Sequence, residues 1–118
     1  MSLKVQNTTH LLNLAISETL YKTLICQLNK DFTLSNIEES ISEAVTPSEL
    51  KKQLYGIIQR VIQNEFDHFL NLLYRIDVSE HQIKKKTTQT QAAYIEEVTF
   101  LILKREWQKV WFKKNYSS

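Results

Sequence analysis

Glu65-Phe66-Asp67-His68 sets a carboxylate and an imidazole three residues apart, on one face of a helix. That is the ligand spacing of carboxylate-bridged di-iron bundles. Such a centre needs a second Glu-x-x-His and two more inward glutamates. His10 and His81 have no glutamate three residues before them, so a metal site is the third reading of the chain, and no cofactor is expected. Glu65 is also awkward for its position. Leu50, Leu54, Ile57, Ile58, Val61, Ile62, Phe69, Leu72, Leu73 and Ile76 fall in one sector of a helical wheel, and Glu65 lies among them. An isolated carboxylate there must be paired, hydrogen bonded or protonated. Arg105 sits in the apolar sector of the last helix with Tyr94, Ile95, Val98, Leu101, Ile102 and Phe112. Glu65 and Arg105 are therefore expected to form a buried bidentate pair between two helices, with Arg75 as the substitute partner.

The last helix carries a second apolar sector: Phe100, Leu103, Trp107, Val110 and Trp111. A helix apolar on two sides has two partners. The body of the bundle is one, and a second copy of the chain, making a homodimer, is the expected other. Coverage by neighbouring helices of the same chain is the alternative. Lys104, Arg105, Lys109, Lys113 and Lys114 interleave with Trp107, Trp111 and Phe112, and Lys84-Lys85-Lys86 adds a second basic cluster. Cations and rings together suit phosphate and stacked bases or an anionic lipid surface; lysines near a helix C-terminus also simply complement its dipole. Net charge is −3 over residues 1–83 and +5 over residues 84–118. No Gly-rich phosphate loop, leading strand or arguable Ser, His and Asp constellation is present, so binding or assembly is expected rather than enzymatic chemistry.

Helices must position all of these groups, because the chain holds a single glycine, Gly56, and a single proline, Pro47. With so few breakers the fold is expected to be all-α, one helical-bundle domain over residues 1–118. Thr8 and Thr9 cap a first helix in which Leu11, Leu14, Tyr21, Leu24, Ile25 and Leu28 recur at three- and four-residue steps to about Asn29. Asp31-Phe32-Thr33-Leu34-Ser35 interrupts that period, and Ser35-Asn36-Ile37-Glu38 predicts a short acidic helix to about Ala44. Thr46-Pro47-Ser48-Glu49 combines a capping threonine, a first-turn proline and a third-position glutamate, the strongest helix start in the chain. From there the period runs to about Ile76. Gly56 lies inside this helix at a cost of about 1 kcal/mol relative to alanine, and close helix packing is the expected compensation. Asp77-Val78-Ser79-Glu80 predicts a short helix to Lys84 or Lys86. A final helix begins between Thr88 and Ala92 and reaches about Lys114. The result is a mainly antiparallel bundle of three long helices and two short ones.

Composition supports this reading. Apolar residues are 42% and charged residues 24%, an ordinary globular balance rather than a disordered one. The lone Cys26 cannot form an intramolecular disulfide, so a reducing, cytoplasmic compartment is expected. Cys26 itself is expected to be a buried or half-buried, unreactive thiol. No export signal or membrane-spanning stretch is read from the sequence, and a membrane partner is not expected.

The segments Glu65-Phe66-Asp67, Leu73-Tyr74-Arg75-Ile76-Asp77-Val78-Ser79-Glu80 and Leu101-Ile102-Leu103-Lys104-Arg105-Glu106-Trp107-Gln108-Lys109 resemble those of small uncharacterised bacterial all-helical proteins. The resemblance covers the second half of the chain. It implies a compact cytoplasmic helical domain and no particular substrate. The function expected is a non-enzymatic interaction or assembly module that self-associates through its C-terminal helix. The alternative is a nucleic-acid-associated accessory protein using the basic C-terminal surface.

Overall fold

The computed structural model describes residues 5–116. The described residues form five α-helices and one 3-10 turn, with no strand: α1 (Thr8–Ser17), α2 (Tyr21–Leu34), α3 (Pro47–Asn64), α4 (Phe66–Ile76), the 3-10 turn Glu80–Ile83, and α5 (Gln91–Tyr116). The all-α expectation holds, but the division into helices differs from it. The expected first helix is two. It stops at Ser17, turns through Thr19 with φ 58°, and restarts at Tyr21. Thr19 N–H donates to Ile16 O and Leu20 N–H to Ala15 O, the paired bonds of a Schellman motif. The second half then runs past Asn29 to Leu34, through the residues expected to interrupt it.

Two further helices end the same way. Asn36 (φ 63°) and Asp77 (φ 65°) occupy the left-handed position after α2 and α4, with Ile37 N–H on Phe32 O and Val78 N–H on Leu73 O. Helices usually place glycine there. This chain spends its one glycine elsewhere and puts Thr, Asn and Asp at the three turns. Asn and Asp tolerate that backbone, whereas a β-branched threonine is strained in it.

Residues 36–44 do not form the expected short helix. The Asn29 side chain takes both peptide groups of Ile41, accepting from its N–H and donating to its O, each at 2.8 Å. Ile37 and Ile41 are buried as pegs, and the Tyr21 hydroxyl donates to Val45 O at 2.7 Å. Those bonds use the backbone groups that a helix would need. The expected 30-residue helix is also two, bent at Glu65 (φ −141°, ψ 54°). Its start is as expected: Thr46 and Glu49 form a reciprocal capping box ahead of Pro47. The link after α4 is a 3-10 turn capped by Ser79 and Gln82 rather than an α-helix to Lys86. Thr90 Oγ1 caps α5 by accepting from Ala93 N–H.

α5 is the axis of the fold. It packs against α1, α2, α3, α4 and the 3-10 turn. Its buried residues, Ile95, Val98, Thr99, Ile102, Leu103, Glu106, Trp107 and Val110, recur at three and four residues, so one broad stripe merges parts of the two sectors read from the sequence. No helix among the described residues is long and apolar enough to cross a membrane.

Gly56 does not sit at a close helix contact. It lies on the exposed side of α3, and a β-carbon there meets nothing within 4 Å. Its cost is uncompensated, which corrects the packing expectation. Gly56→Ala should raise stability by about 1 kcal/mol, and Thr19→Gly by about the same amount. Urea denaturation should show the two gains adding, since the sites share no partner. A loss in either variant would contradict the backbone assignment.

Candidate functional site

Among the described residues, the buried charged side chains are Asp31 and Glu106, and they meet between α2 and α5. On α2, Asp31 faces inward and is 1% exposed; on α5, Glu106 is 0% exposed. Lys109, one turn beyond Glu106, places Nζ 2.7 Å from Asp31 Oδ2 and 3.4 Å from Glu106 Oε1. Gln27 Nε2, one turn before Asp31, donates to the same Oδ2 at 3.0 Å. Two carboxyls thus share one cation in the seam between helices. No donor reaches either oxygen of Glu106 with good hydrogen-bond geometry, whereas Asp31 collects several. Burial, reinforced by the Asp31 charge, pushes Glu106 up to about 9. Burial also pushes Asp31 upward, but hydrogen bonds from Glu106, Lys109 and Gln27 outweigh it and hold Asp31 below its ordinary value. At neutral pH the arrangement is therefore a protonated Glu106 donating to an ionised Asp31 that is neutralised by Lys109. This is how neighbouring carboxyls avoid a double charge in low dielectric.

The sequence held a signal for this cluster. Asp31 follows Leu24 and Leu28 at the apolar spacing, and Glu106 lies between Leu103 and Val110 on the same stripe. Both carboxyls, unlike Glu65, are buried on those stripes and must be paired or protonated. Neither carboxyl lines the principal clefts of the surface; through Lys109 the pair pins α2 to α5.

The expected Glu65–Arg105 pair is not formed. Glu65 stands at the bend between α3 and α4, which turns its side chain away from the apolar sector. There Arg60 Nη1 donates to Glu65 Oε2 at 2.7 Å and His68 Nδ1 lies 3.0 Å from Oε1. These bonds hold Glu65 below its ordinary value, that to His68 first and that to Arg60 next. Arg60 also clasps Glu39 with Nε and Nη2. All four groups are about one-third exposed, so the network is worth little in stability. Arg105 instead donates from Nε to Ile76 O at 2.8 Å and reaches Asp77 at 3.9 Å. It caps the negative C-terminal end of α4, as a cation there should. Arg75, the substitute partner, is exposed. With Glu65 held by Arg60, the Glu-x-x-His motif acts as an i,i+3 hydrogen bond. Among the described residues no group of three or more His, Cys, Asp or Glu could hold a metal ion.

The expected oligomer face is largely inside the monomer. Leu103 and Trp107 are 0% exposed and Val110 is 3%; Phe100 and Trp111 are half-buried against the same core. Trp111 Nε1 donates to Glu18 Oε1 at 3.2 Å. Neighbouring helices of the same chain cover this sector because α5 lies at the centre of the fold rather than at its edge. What remains outside is the tip of α5. Phe112 is 42% exposed and Tyr116 72%. Their rings stack at 5.4 Å, and Trp111 meets both edge-on at 5.4 and 5.9 Å.

The basic surface is also depleted. Lys109 is held by Asp31, Arg105 by Ile76 O, and Lys114 Nζ donates to Glu18 O at 2.8 Å. Of the cations interleaved with aromatic rings, Lys104 and Lys113 keep no such internal partner among the described residues. Cys26 is exposed, contrary to the expected burial. Its hydrogen bond to the Glu43 carboxylate, with some burial and the Glu43 charge, pushes the thiol up, which disfavours the reactive thiolate.

No family model matches the chain, and no curated protein or solved structure matches it significantly.

Proposed function

We propose that the protein is a non-enzymatic interaction or assembly module that self-associates through the C-terminal tip of α5. The supporting observation is the aromatic cluster of Trp111, Phe112 and Tyr116, whose outer rings remain in water after the rest of the helix has been packed. Clustered rings at a surface are what contact sites are built from. A net charge of +2 leaves little long-range repulsion between copies. The lone thiol suits a reducing, cytoplasmic setting.

Sedimentation equilibrium between about 10 μM and about 1 mM should show reversible self-association, and Phe112→Ser with Tyr116→Ser should weaken it at least about tenfold. Unchanged helical circular dichroism would confirm that the double variant still folds. A native protein that stays monomeric to the highest concentration, or a double variant that associates as before, would refute the reading.

A further inference from the structure

Among the described residues, exposed aromatic rings gather at two places. One is the tip of α5. The other runs down α4: Phe66 is 50% exposed and Tyr74 91%, with the half-buried Leu70 between them. Positions 66, 70 and 74 are four apart, so the three side chains form one row on the helix. The row begins at the bend where α3 meets α4, and the Phe66 ring rests 5.7 Å from that of the buried Phe69. Apolar side chains scattered singly over a surface need no explanation, but a contiguous row marks a contact. Among the described residues no ring contact joins this row to the tip of α5.

The two places differ in charge. At the tip, Lys113 and Lys114 are exposed, and no acidic residue lies between Trp107 and Tyr116. Glu18, which accepts from Trp111, offsets one of these cations. At the bend, Glu39 and Glu65 share one cation, Arg60. Glu38 beside Glu39 and Asp67 beside Phe66 are exposed and make no ion pair among the described residues. With His68 counted as neutral, four carboxylates face one guanidinium, so the bend is acidic. Arg75 and Asp77 at the far end of α4 offset one another in charge. Two tips brought together would set Lys113 against Lys113, and like charges across an interface are unfavourable. A tip against a bend sets lysine against carboxylate and ring against ring.

We propose that self-association joins unlike surfaces: the tip of α5 in one copy docks on the α3–α4 bend and the outer row of α4 in another. The inference rests on the self-association reading above and names the surface that the tip meets. Phe112 and Tyr116 lie along Phe66, Leu70 and Tyr74 as the apolar centre of the contact, and Lys113 faces Glu38 and Asp67 at its polar rim. The row from Phe66 to Tyr74 is about 12 Å long and the step from Phe112 to Tyr116 about 6 Å, so the row accommodates one tip. A contact between unlike surfaces is heterologous, which leaves a tip on one copy and a bend on the other to engage further copies.

The test mixes two double variants, each lacking one surface. Phe112→Ser with Tyr116→Ser keeps the bend, and Phe66→Ser with Tyr74→Ser keeps the tip. All four positions are exposed, and dispersed amide spectra report that both variants fold. Alone, each should associate at least about tenfold more weakly than the native protein. Titrating the 15N-labelled first variant with the unlabelled second should restore binding, with saturable shifts at Phe66, Asp67, Leu70 and Tyr74 and a Kd within about threefold of native self-association. That binding should weaken as sodium chloride is raised from about 50 mM to about 500 mM. If Phe66→Ser with Tyr74→Ser associates as tightly as the native protein, tips meet tips and the proposal is overturned, with self-association through α5 left standing. A mixture that shows no saturation by about 1 mM, while the native protein associates, would overturn it equally. A native protein that is itself monomeric refutes the self-association reading, and that result is read before any mixing.

Discussion

Lys109→Met should cost about 3–5 kcal/mol at neutral pH, the loss expected when one partner of a buried ion pair is removed. Methionine fills the same space, so packing is largely kept, and the effect is that of leaving Asp31 as an uncompensated charge between α2 and α5. For a chain of this size that is a large fraction of the total, since domains are stable by only about 5–15 kcal/mol. The loss should itself depend on pH. Without Lys109 the Asp31 carboxyl must rise in pKa, and a carboxyl raised in the folded state loses its stabilising contribution as pH increases. The variant should therefore recover part of its stability near pH 5 and be weakest near pH 8. Urea denaturation at the two pH values, with an unchanged slope, measures both. A cost below about 1 kcal/mol at neutral pH would mean that Asp31 is solvated after all.

Glu106→Gln should do the opposite. Glu106 is raised to about 9 from the ordinary value of 4.5, so between those limits the folded protein holds a proton that the unfolded chain has released. Stability must then fall as pH rises through that window, by up to about 1.4 kcal/mol per pH unit for one group. The contribution is complete below 4.5 and lost by about 9. Glutamine is neutral throughout and keeps an N–H to offer Asp31. Native protein and variant should differ by less than about 1 kcal/mol at pH 5, and over the three units to pH 8 the variant should gain about 4 kcal/mol on the native protein. Chemical denaturation across that range separates this from a packing effect, which would shift both pH values equally. A polar pair retained at such a cost fixes the register of α2 on α5, a role attested for single buried polar groups elsewhere.

These residues also show what could be read from the chain and what could not. The capping box Thr46-Pro47-Ser48-Glu49 and the all-helical composition were legible because they depend on neighbours in sequence. The breaks at Thr19 and Glu65 were not. Thr19 takes the left-handed turn that glycine usually marks, and Glu65 bends a helix with neither glycine nor proline. Residues 36–44 carry a helix start, yet the Asn29 side chain claims Ile41 from twelve residues away, and tertiary bonds override local propensity. On a straight helix Glu65 is a misplaced charge; the bend between α3 and α4 removes it from the apolar sector. Asp31 and Glu106 are misplaced on the same criterion, but Asp31 lies beyond the expected end of the first helix at Asn29, and Glu106 lies between the two apolar sectors expected of α5. Its single central stripe follows from being surrounded by four helices, which no local pattern states.

The placement of α5 decides which surfaces are left for partners, and Glu106 reports on it directly. Side-chain 13C NMR of the native protein, following the Glu106 carboxyl through a pH titration, should give a midpoint near 9. A midpoint near the ordinary 4.5 would place Glu106 in water, take α5 out of the centre of the fold, and reopen its inner face as a contact surface.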